Sequence, residues 1–123
     1  MAGILIVDDS PVNRNILRNM LEIEDYEVVG EAENGKEGYD KFLDLSPSII
    51  ILDISMPQLN GIDLLRLIKS RDPLAKVVML SANSESEKVS EAARHGADEY
   101  VTKPYTRTAV LEAIKRCVES ANS

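Results

Sequence analysis

Five polar residues with the chemistry to bind metal or phosphate each follow a short run of apolar or mixed residues. Asp8 and Asp9 come directly after the first run, Asp53 ends the third, Ser81 follows the fourth and Lys103 follows the fifth. In an open parallel sheet, ligands bind beyond the carboxyl ends of the strands. If these runs are parallel strands, we expect all five side chains to line one site.

Three carboxylates in one cleft require positive charge. At ~4 Å and an effective dielectric near 20, each pair repels by ~4 kcal/mol. Lys103 is one cation and cannot balance three acids. The oxygen donors predict Mg²⁺, which binds carboxylates, a backbone carbonyl and water, with Mn²⁺ as a substitute. Zinc is disfavoured because the chain has one His and one Cys.

Asp53 differs from the other two acids because it stands alone at the end of a fully apolar run. Carboxylates are nucleophiles in aspartyl-phosphate chemistry. The loose transition state of phosphoryl transfer needs mainly positioning and positive charge, which Mg²⁺ and Lys103 would supply. We therefore predict that Asp53 is the phosphoacceptor, with Ser81 donating a hydrogen bond to a phosphoryl oxygen.

Apolar runs alternate with segments of helical period, a pattern typical of an α/β fold with a mostly parallel sheet. We predict strands at 4–7, 26–32, 49–52, 77–80 and 99–102. Helices are predicted from Ser10-Pro11 onward, at 35–45, 61–71 and 85–95, and around 110–118. Apolar stripes on the first and last helices predict core positions: Val12, Ile16, Leu17, Met20 and Leu21, then Val110, Leu111, Ile114, Cys117 and Val118.

Length and composition limit the class of protein. The 123 residues suit one domain spanning 1–123, with 119–123 expected to be a frayed tail. The net charge of −7 argues against direct binding to nucleic acid. No apolar run approaches the ~20 residues of a membrane span. We expect a monomeric cytoplasmic protein with Cys117 as a buried, unreactive thiol.

Five short motifs resemble the receiver domains of bacterial two-component systems, in particular the CheY-like single-domain members. The motifs are Ile6-Val7-Asp8-Asp9-Ser10, Leu52-Asp53-Ile54-Ser55-Met56-Pro57 with Asn60-Gly61, Leu80-Ser81-Ala82, Gly96-Ala97-Asp98-Glu99-Tyr100 and Lys103-Pro104. The resemblance extends over essentially the whole chain. It implies a flavodoxin-like (βα)5 fold with strand order 2-1-3-4-5.

The same resemblance implies a role for individual residues of the acidic site. Asp53 corresponds to the phosphoacceptor and Asp9 to the direct metal ligand. Asp8 corresponds to the acid that holds the metal largely through water, and the backbone carbonyl of Ser55 to the remaining protein ligand. The implied chemistry is Mg²⁺-dependent phosphorylation of Asp53.

Residues on the later strands correspond to the family's switch and phosphate contacts. Ser81 and Tyr100 match the hydroxyl and the aromatic that respond to phosphorylation, and Lys103 matches the phosphate-pairing lysine. The resemblance implies a cis bond between Lys103 and Pro104. Many family members have threonine at the position of Ser81.

Two further positions, Ser55 and Asn83, correspond to sites that influence the lifetime of the phosphorylated state. Receivers accept the phosphoryl group from a phosphohistidine on a histidine kinase or a histidine phosphotransfer protein. Phosphorylation would then change the binding of an effector protein to the face around residues 85–105. The output is open among a flagellar motor in chemotaxis, a relay and the regulation of another protein.

Two other functions compete with the switch. One is a phosphatase or phosphotransferase that uses an Asp nucleophile and Mg²⁺. Such an enzyme normally carries a DxD-type pair after the first strand and a cap domain, whereas Asp8 and Asp9 are adjacent here. The other is a scaffold that no longer depends on phosphorylation. We expect a protein that promotes its own phosphorylation and dephosphorylation but is not a multiple-turnover enzyme.

Overall fold

Strands and helices alternate along the chain in the computed structural model, which describes residues 3–54, 56, 59–82 and 86–121. Within these residues the elements are β1 (Gly3–Val7), α1 (Pro11–Ile23), β2 (Glu27–Ala32), α2 (Gly35–Leu45), β3 (Ile49–Asp53), α3 (Gly61–Arg71), β4 (Lys76–Ala82), α4 (Ser86–Arg94), β5 (Glu99–Lys103) and α5 (Arg107–Ala121). All strand pairs are parallel, in the order β2-β1-β3-β4-β5. The predicted fold class and strand order are confirmed.

Helices cover both faces of the sheet, and this explains why the central strands are apolar along most of their length. Successive side chains of a strand point to opposite faces. In β3, Leu52 packs in the core beneath α2, α3 and α4, whereas Ile51 packs in the core beneath α1 and α5. A strand buried on both sides has no position at which a polar side chain would meet water.

Strand register brings the predicted site residues to one edge of the sheet. Val7 of β1 is opposite Leu52 of β3, so Asp8 and Asp53 both follow that pair. On the other side, Ser81 of β4 is opposite Thr102 of β5, one residue before Lys103. The carboxyl ends of β1, β3, β4 and β5 therefore meet at a common edge.

Side-chain caps start the helices that leave this edge. Ser10 Oγ accepts the Asn13 N–H at 3.2 Å, with Pro11 at the first helical position. Asn60 Oδ1 accepts the Asp63 N–H at 3.0 Å in the same way at the start of α3. Each cap fixes the residue at which the loop beside the site ends and the helix begins.

Gly61 allows α3 to begin directly against the end of β3. A Cβ atom at this position would lie 2.2 Å from the Asp53 carbonyl oxygen and 2.7 Å from Ile54 Cα. Both contacts are with backbone and cannot be relieved by a rotamer change. The absence of a side chain at Gly61 therefore permits the close approach that holds the Asp53 backbone.

The predicted core stripe of α1 is partly wrong. Leu17 and Leu21 are buried, but Val12 is 67% exposed and Ile16 is 45% exposed. Successive helical residues are rotated by about 100°, so Ile16 points well away from the direction of Leu17. The stripe through Leu17, Met20 and Leu21 packs on the core beneath this helix, because the sheet contacts one side of the helix.

The last helix is longer than the sequence predicted. The tail expected at 119–123 begins inside α5, which continues to Ala121. Burial of Ile114 and Cys117 anchors the later turns of this helix on the sheet. None of the described helices is both long and apolar enough to cross a lipid bilayer.

Candidate functional site

The three predicted acids converge at the carboxyl edge of the sheet. Asp8, Asp9 and Asp53 each contribute one carboxylate oxygen, and these oxygens all lie within 4.8 Å of one another. Asp8 is fully buried and Asp53 is 4% exposed, whereas Asp9 is exposed to solvent. Two of the three acids are therefore buried, and solvent ions can reach the third, Asp9.

Asp8 occupies the most demanding position in the cluster. Its Oδ1 accepts the Ser10 N–H at 2.9 Å, but its buried Oδ2 has no hydrogen-bond partner among the described residues. Burial raises the pKa of Asp8, and the negative charge of Asp9 adds to that effect. The Ser10 N–H and the charges of Lys103 and Arg14 act in the opposite direction. The negative charge of an ionised Asp8 is thus only partly offset by the protein groups around it.

Lys103 supplies a cation directly to Asp53. Its Nζ lies 3.0 Å from Asp53 Oδ2, a charge-assisted hydrogen bond across 50 residues of sequence. The Lys103–Pro104 peptide bond is cis, the conformation that the resemblance implied. The end of β5 therefore places an ammonium group at the carboxylate predicted to be the nucleophile.

Ser81 and Tyr100 lie on the strands that flank the acidic cluster. Ser81 is 2% exposed near the end of β4, next to β3 in the sheet. Tyr100 is half-buried in β5 and packs against the core beneath α2, α3 and α4. Burial raises the pKa of Tyr100, and the charges of Asp98 and Glu99 raise it further.

Three further predicted positions surround these residues. Ala82 is half-buried in the last position of β4, opposite Lys103 in β5. Ser55 and Asn83 lie outside the described residues, so the structure does not locate the Ser55 carbonyl or the Asn83 side chain. The roles of both remain predictions from the resemblance.

The donor set fits a hard divalent cation. All three clustered groups are carboxylates, and the Oδ2 of Asp8 is a buried acceptor without a partner in the described part of the chain. Oxygen ligands of this kind suit Mg²⁺ or Mn²⁺. A cation beside Asp8 and Asp9 would compensate the charge that Lys103 and Arg14 leave uncompensated.

A cleft of about 470 Å³ opens beside Asp9, between α3 and α4. Ile54 and Met56 form part of its apolar wall, and Arg66 and Lys88 contribute cationic side chains. Since Asp9 lines the cleft, solvent reaches the exposed side of the acidic cluster through it.

Arg14 is a site residue that sequence reasoning did not identify. Its Nη1 donates to the Asp8 carbonyl oxygen at 2.6 Å, and its Nε donates to Glu31 at 3.2 Å. The available signal was its position one turn after the Ser10 cap, which brings its side chain back toward the start of α1.

Tyr105 was missed as well. Its hydroxyl is buried and has no hydrogen-bond partner among the described residues. Burial raises the pKa of Tyr105, and the charges of Asp8 and Asp53 add to the increase. Its place directly after Lys103-Pro104 was the signal that could have identified it.

Known proteins resemble this chain in sequence and in fold. The family model for the response regulator receiver domain matches residues 4–115. The chemotaxis protein CheY of Listeria monocytogenes is 40% identical over 119 residues, covering 97% of this chain and 100% of that protein. The chemotaxis protein CheY of Thermotoga maritima is 40% identical over 113 residues, covering 92% and 94%.

Solved structures agree with this similarity. A response regulator receiver domain from Clostridium thermocellum has a TM-score of 0.93 and 31% identity, covering 99% of this chain and 98% of that chain. A chain of the CheX-CheY-BeF3-Mg²⁺ complex from Borrelia burgdorferi has a TM-score of 0.89 and 31% identity, covering 94% and 87%. From the acidic edge, the strand order and these similarities, the chain belongs to the response regulator receiver domain family.

Proposed function

We propose that this protein is a phosphoacceptor switch in which Asp53 takes a phosphoryl group from a phosphohistidine on a histidine kinase or a histidine phosphotransfer protein. The observation that carries the proposal is the pairing of a buried carboxylate with a cation inside an acidic cluster. Asp53 is 4% exposed, and its Oδ2 lies 3.0 Å from Lys103 Nζ. We further propose that the protein acts in the cytoplasm, where such kinases present their phosphohistidine.

The chemical step transfers the phosphoryl group between two nucleophiles. A carboxylate oxygen of Asp53 forms a bond to phosphorus while the P–N bond of the phosphohistidine breaks, and the imidazole leaves with the electron pair. The charge at Asp53 grows from −1 to about −2. Lys103 stabilises the phosphorylated product more than the free carboxylate, because it then faces the larger charge.

The acidic cluster supports a requirement for Mg²⁺. Asp8, Asp9, Asp53 and the backbone carbonyl of Ser55 would hold the ion, which would supply positive charge to the phosphoryl oxygens. Asp8 orients this arrangement from a buried position, and exposed Asp9 lies on the solvent side. The hydrogen bond from the Asp8 N–H to the Ala32 carbonyl of β2, 3.0 Å long, holds Asp8 in place before a donor arrives.

Coupling to a partner follows from the limited energy of one hydrogen bond. A bond from Ser81 to the phosphoryl group contributes about 1.5–3 kcal/mol. Converting a 1:99 population to 99:1 requires about 5.5 kcal/mol. We therefore propose that Ser81 moves toward phospho-Asp53, that Tyr100 turns inward, and that an effector binding near residues 85–105 supplies the remainder. A relative observed with CheX, BeF3 and Mg²⁺ supports partner binding by this fold.

Phosphorylation with a small phosphoryl donor tests the proposal. The protein is incubated with phosphoramidate and Mg²⁺, and intact mass spectrometry measures the product. We expect one phosphoryl group per chain, lost slowly by hydrolysis. The product should be absent with EDTA and in the Asp53→Asn variant. Equal labelling of Asp53→Asn would show that the acceptor is elsewhere.

Simple phosphate esters separate the switch from an Asp-nucleophile phosphatase. Many turnovers per protein molecule would support the enzyme, whereas no catalytic release of phosphate supports the switch. Pull-downs with and without beryllofluoride and Mg²⁺ test the scaffold alternative. Partners captured equally under both conditions would favour a phosphorylation-independent scaffold.

A further inference from the structure

Arg14 connects the acidic edge to the neighbouring strand. The side chain is 15% exposed and belongs to α1. Its Nη1 donates to the carbonyl oxygen of Asp8 at 2.6 Å, and its Nε donates to Glu31 Oε1 in β2 at 3.2 Å. One guanidinium group therefore fixes the backbone of a predicted metal-site residue relative to β2.

Glu31 is itself held from a second direction. Arg18 Nε donates to its other carboxylate oxygen, Oε2, at 2.6 Å. Lys41 Nζ donates to the Glu31 backbone carbonyl. With each carboxylate oxygen bound by a different arginine, Glu31 has little freedom to rotate, and it provides a fixed anchor for Arg14.

The contact with Asp8 is made to the backbone, and this determines its effect. The Asp8 N–H donates to the Ala32 carbonyl at 3.0 Å, so β2 holds one side of Asp8 directly. Arg14 holds the other side through the Asp8 carbonyl. That carbonyl shares a planar peptide unit with the Asp9 N–H. Fixing it therefore fixes the direction in which the chain enters Asp9.

The formal charges of the two arginines and of their partners Glu31 and Glu22 cancel. Arg14 and Arg18 are paired with Glu31, and Arg18 also lies 3.3 Å from Glu22. Two cations and two anions leave no formal net charge to repel a divalent ion. Arg14 itself still acts on Asp8 by its charge, so its electrostatic effect and its geometric effect on cation binding have opposite signs.

We propose that Arg14, oriented by Glu31, is a positioning residue that sets the affinity of the Asp8-Asp9 pair for a divalent cation. This inference rests on the proposed function, because it assumes that the acidic cluster binds Mg²⁺. Lysine cannot replace arginine here, since one ammonium group lacks the rigid fork that reaches two acceptors at once.

Arg14→Lys and Arg18→Lys form a matched pair of variants. Both keep the charge and both weaken the contact with Glu31, but only Arg14 reaches Asp8. Isothermal titration calorimetry measures Mg²⁺ affinity, and urea unfolding measures stability. We expect Arg14→Lys to weaken Mg²⁺ binding roughly ten-fold, as for other residues that orient metal ligands. Arg18→Lys should change affinity less than about two-fold, although both variants lose similar stability.

The charge-removing variant Arg14→Gln separates geometry from electrostatics. It makes the surroundings of the site more negative, so a purely electrostatic role predicts tighter Mg²⁺ binding. The positioning role predicts weaker binding. Tighter binding by Arg14→Gln, or equal affinities for Arg14→Lys and the wild type, would overturn the inference.

Glu31→Gln provides a second route to the same conclusion if Arg14 variants fold poorly. It keeps both arginines and loosens the anchor, and we expect Mg²⁺ binding to weaken by about three-fold. Unchanged affinity would contradict the role assigned to Glu31. If wild-type protein fails to bind Mg²⁺, the proposed function fails with the inference. If the wild type binds and the Arg14 variants match it, only the inference fails.

Discussion

Replacing Asp8 by asparagine should stabilise the metal-free protein while removing its response to Mg²⁺. Asp8 is fully buried, and its Oδ2 has no hydrogen-bond partner within the described residues. Asparagine has nearly the same shape and keeps an oxygen for the Ser10 N–H, which Asp8 Oδ1 accepts at 2.9 Å. The substitution therefore changes mainly the charge.

The magnitude follows from the spacing of the acids. At the 4.8 Å limit of the cluster, two carboxylates repel by ~3.5 kcal/mol at an effective dielectric of 20. Lys103 and Arg14 offset part of this repulsion and of the burial cost. Part of the ~3.5 kcal/mol of repulsion therefore remains, and we expect Asp8→Asn to raise the free energy of unfolding by about 1–3 kcal/mol at neutral pH.

The sign of the pH dependence follows from the raised pKa of Asp8. Above this folded-state pKa, the ionised carboxylate destabilises the folded protein relative to the unfolded chain. As the pH falls below the folded-state pKa, Asp8 takes up a proton in the folded protein, and the destabilisation shrinks until it is lost below the unfolded-state pKa. The stability advantage of Asp8→Asn should therefore shrink as the pH is lowered.

Urea unfolding followed by circular dichroism, in EDTA and in saturating Mg²⁺, measures both effects. In EDTA the variant should be more stable than the wild type. Mg²⁺ should stabilise the wild type by mass action and leave the variant unchanged. Asp9→Asn serves as the control, because it removes pair repulsion without removing a buried charge and should therefore raise the metal-free stability less than Asp8→Asn. The reasoning is refuted if Asp8→Asn is no more stable than the wild type in EDTA.

Other substitutions test the packing beside the site. Gly61→Ala should destabilise the protein by about 3 kcal/mol, since its Cβ would lie 2.2 Å from the Asp53 carbonyl oxygen; a smaller loss in urea unfolding, below about 1 kcal/mol, would contradict this. Leu17→Ala should cost about 2–5 kcal/mol in the same assay and Ile16→Ala less than about 1 kcal/mol, because only Leu17 is fully buried. Burial raises the pKa of Cys117 to about 12, so the thiol should react with a thiol-specific reagent only after unfolding. Rapid labelling of the native protein would contradict this and would show that α5 opens.

Strand identity was predictable because burial imposes a local pattern. A parallel strand covered on both faces must be apolar at each position, so β1, β3 and the centre of β4 are visible as unbroken apolar runs. The convergence of Asp8, Asp53 and Lys103 followed from the same feature, since the carboxyl ends of parallel strands lie on one side of the sheet.

The rotation of α1 about its own axis was harder to predict from the sequence. Val12 and Ile16 have the same apolar character as Leu17, and their spacing fits a helix equally well. Which of them contacts the sheet depends on how the helix is rotated about its axis. That rotation is set by the packing of the whole α1–α5 layer against the strands.

By itself, the amino-acid sequence determined the alternation of strands and helices, the α/β class and the set of polar residues that meet at one edge. Those features depend on local periodicity and on the parallel direction of the strands. Only the tertiary structure decided that Asp8 Oδ2 lacks a partner in the described chain and that Arg14 joins Asp8 to Glu31. These contacts depend on the register of β1 against β2, which shifts between Ile4 and Leu5. Such a register arises from the packing of the assembled sheet and has no signature in either segment alone.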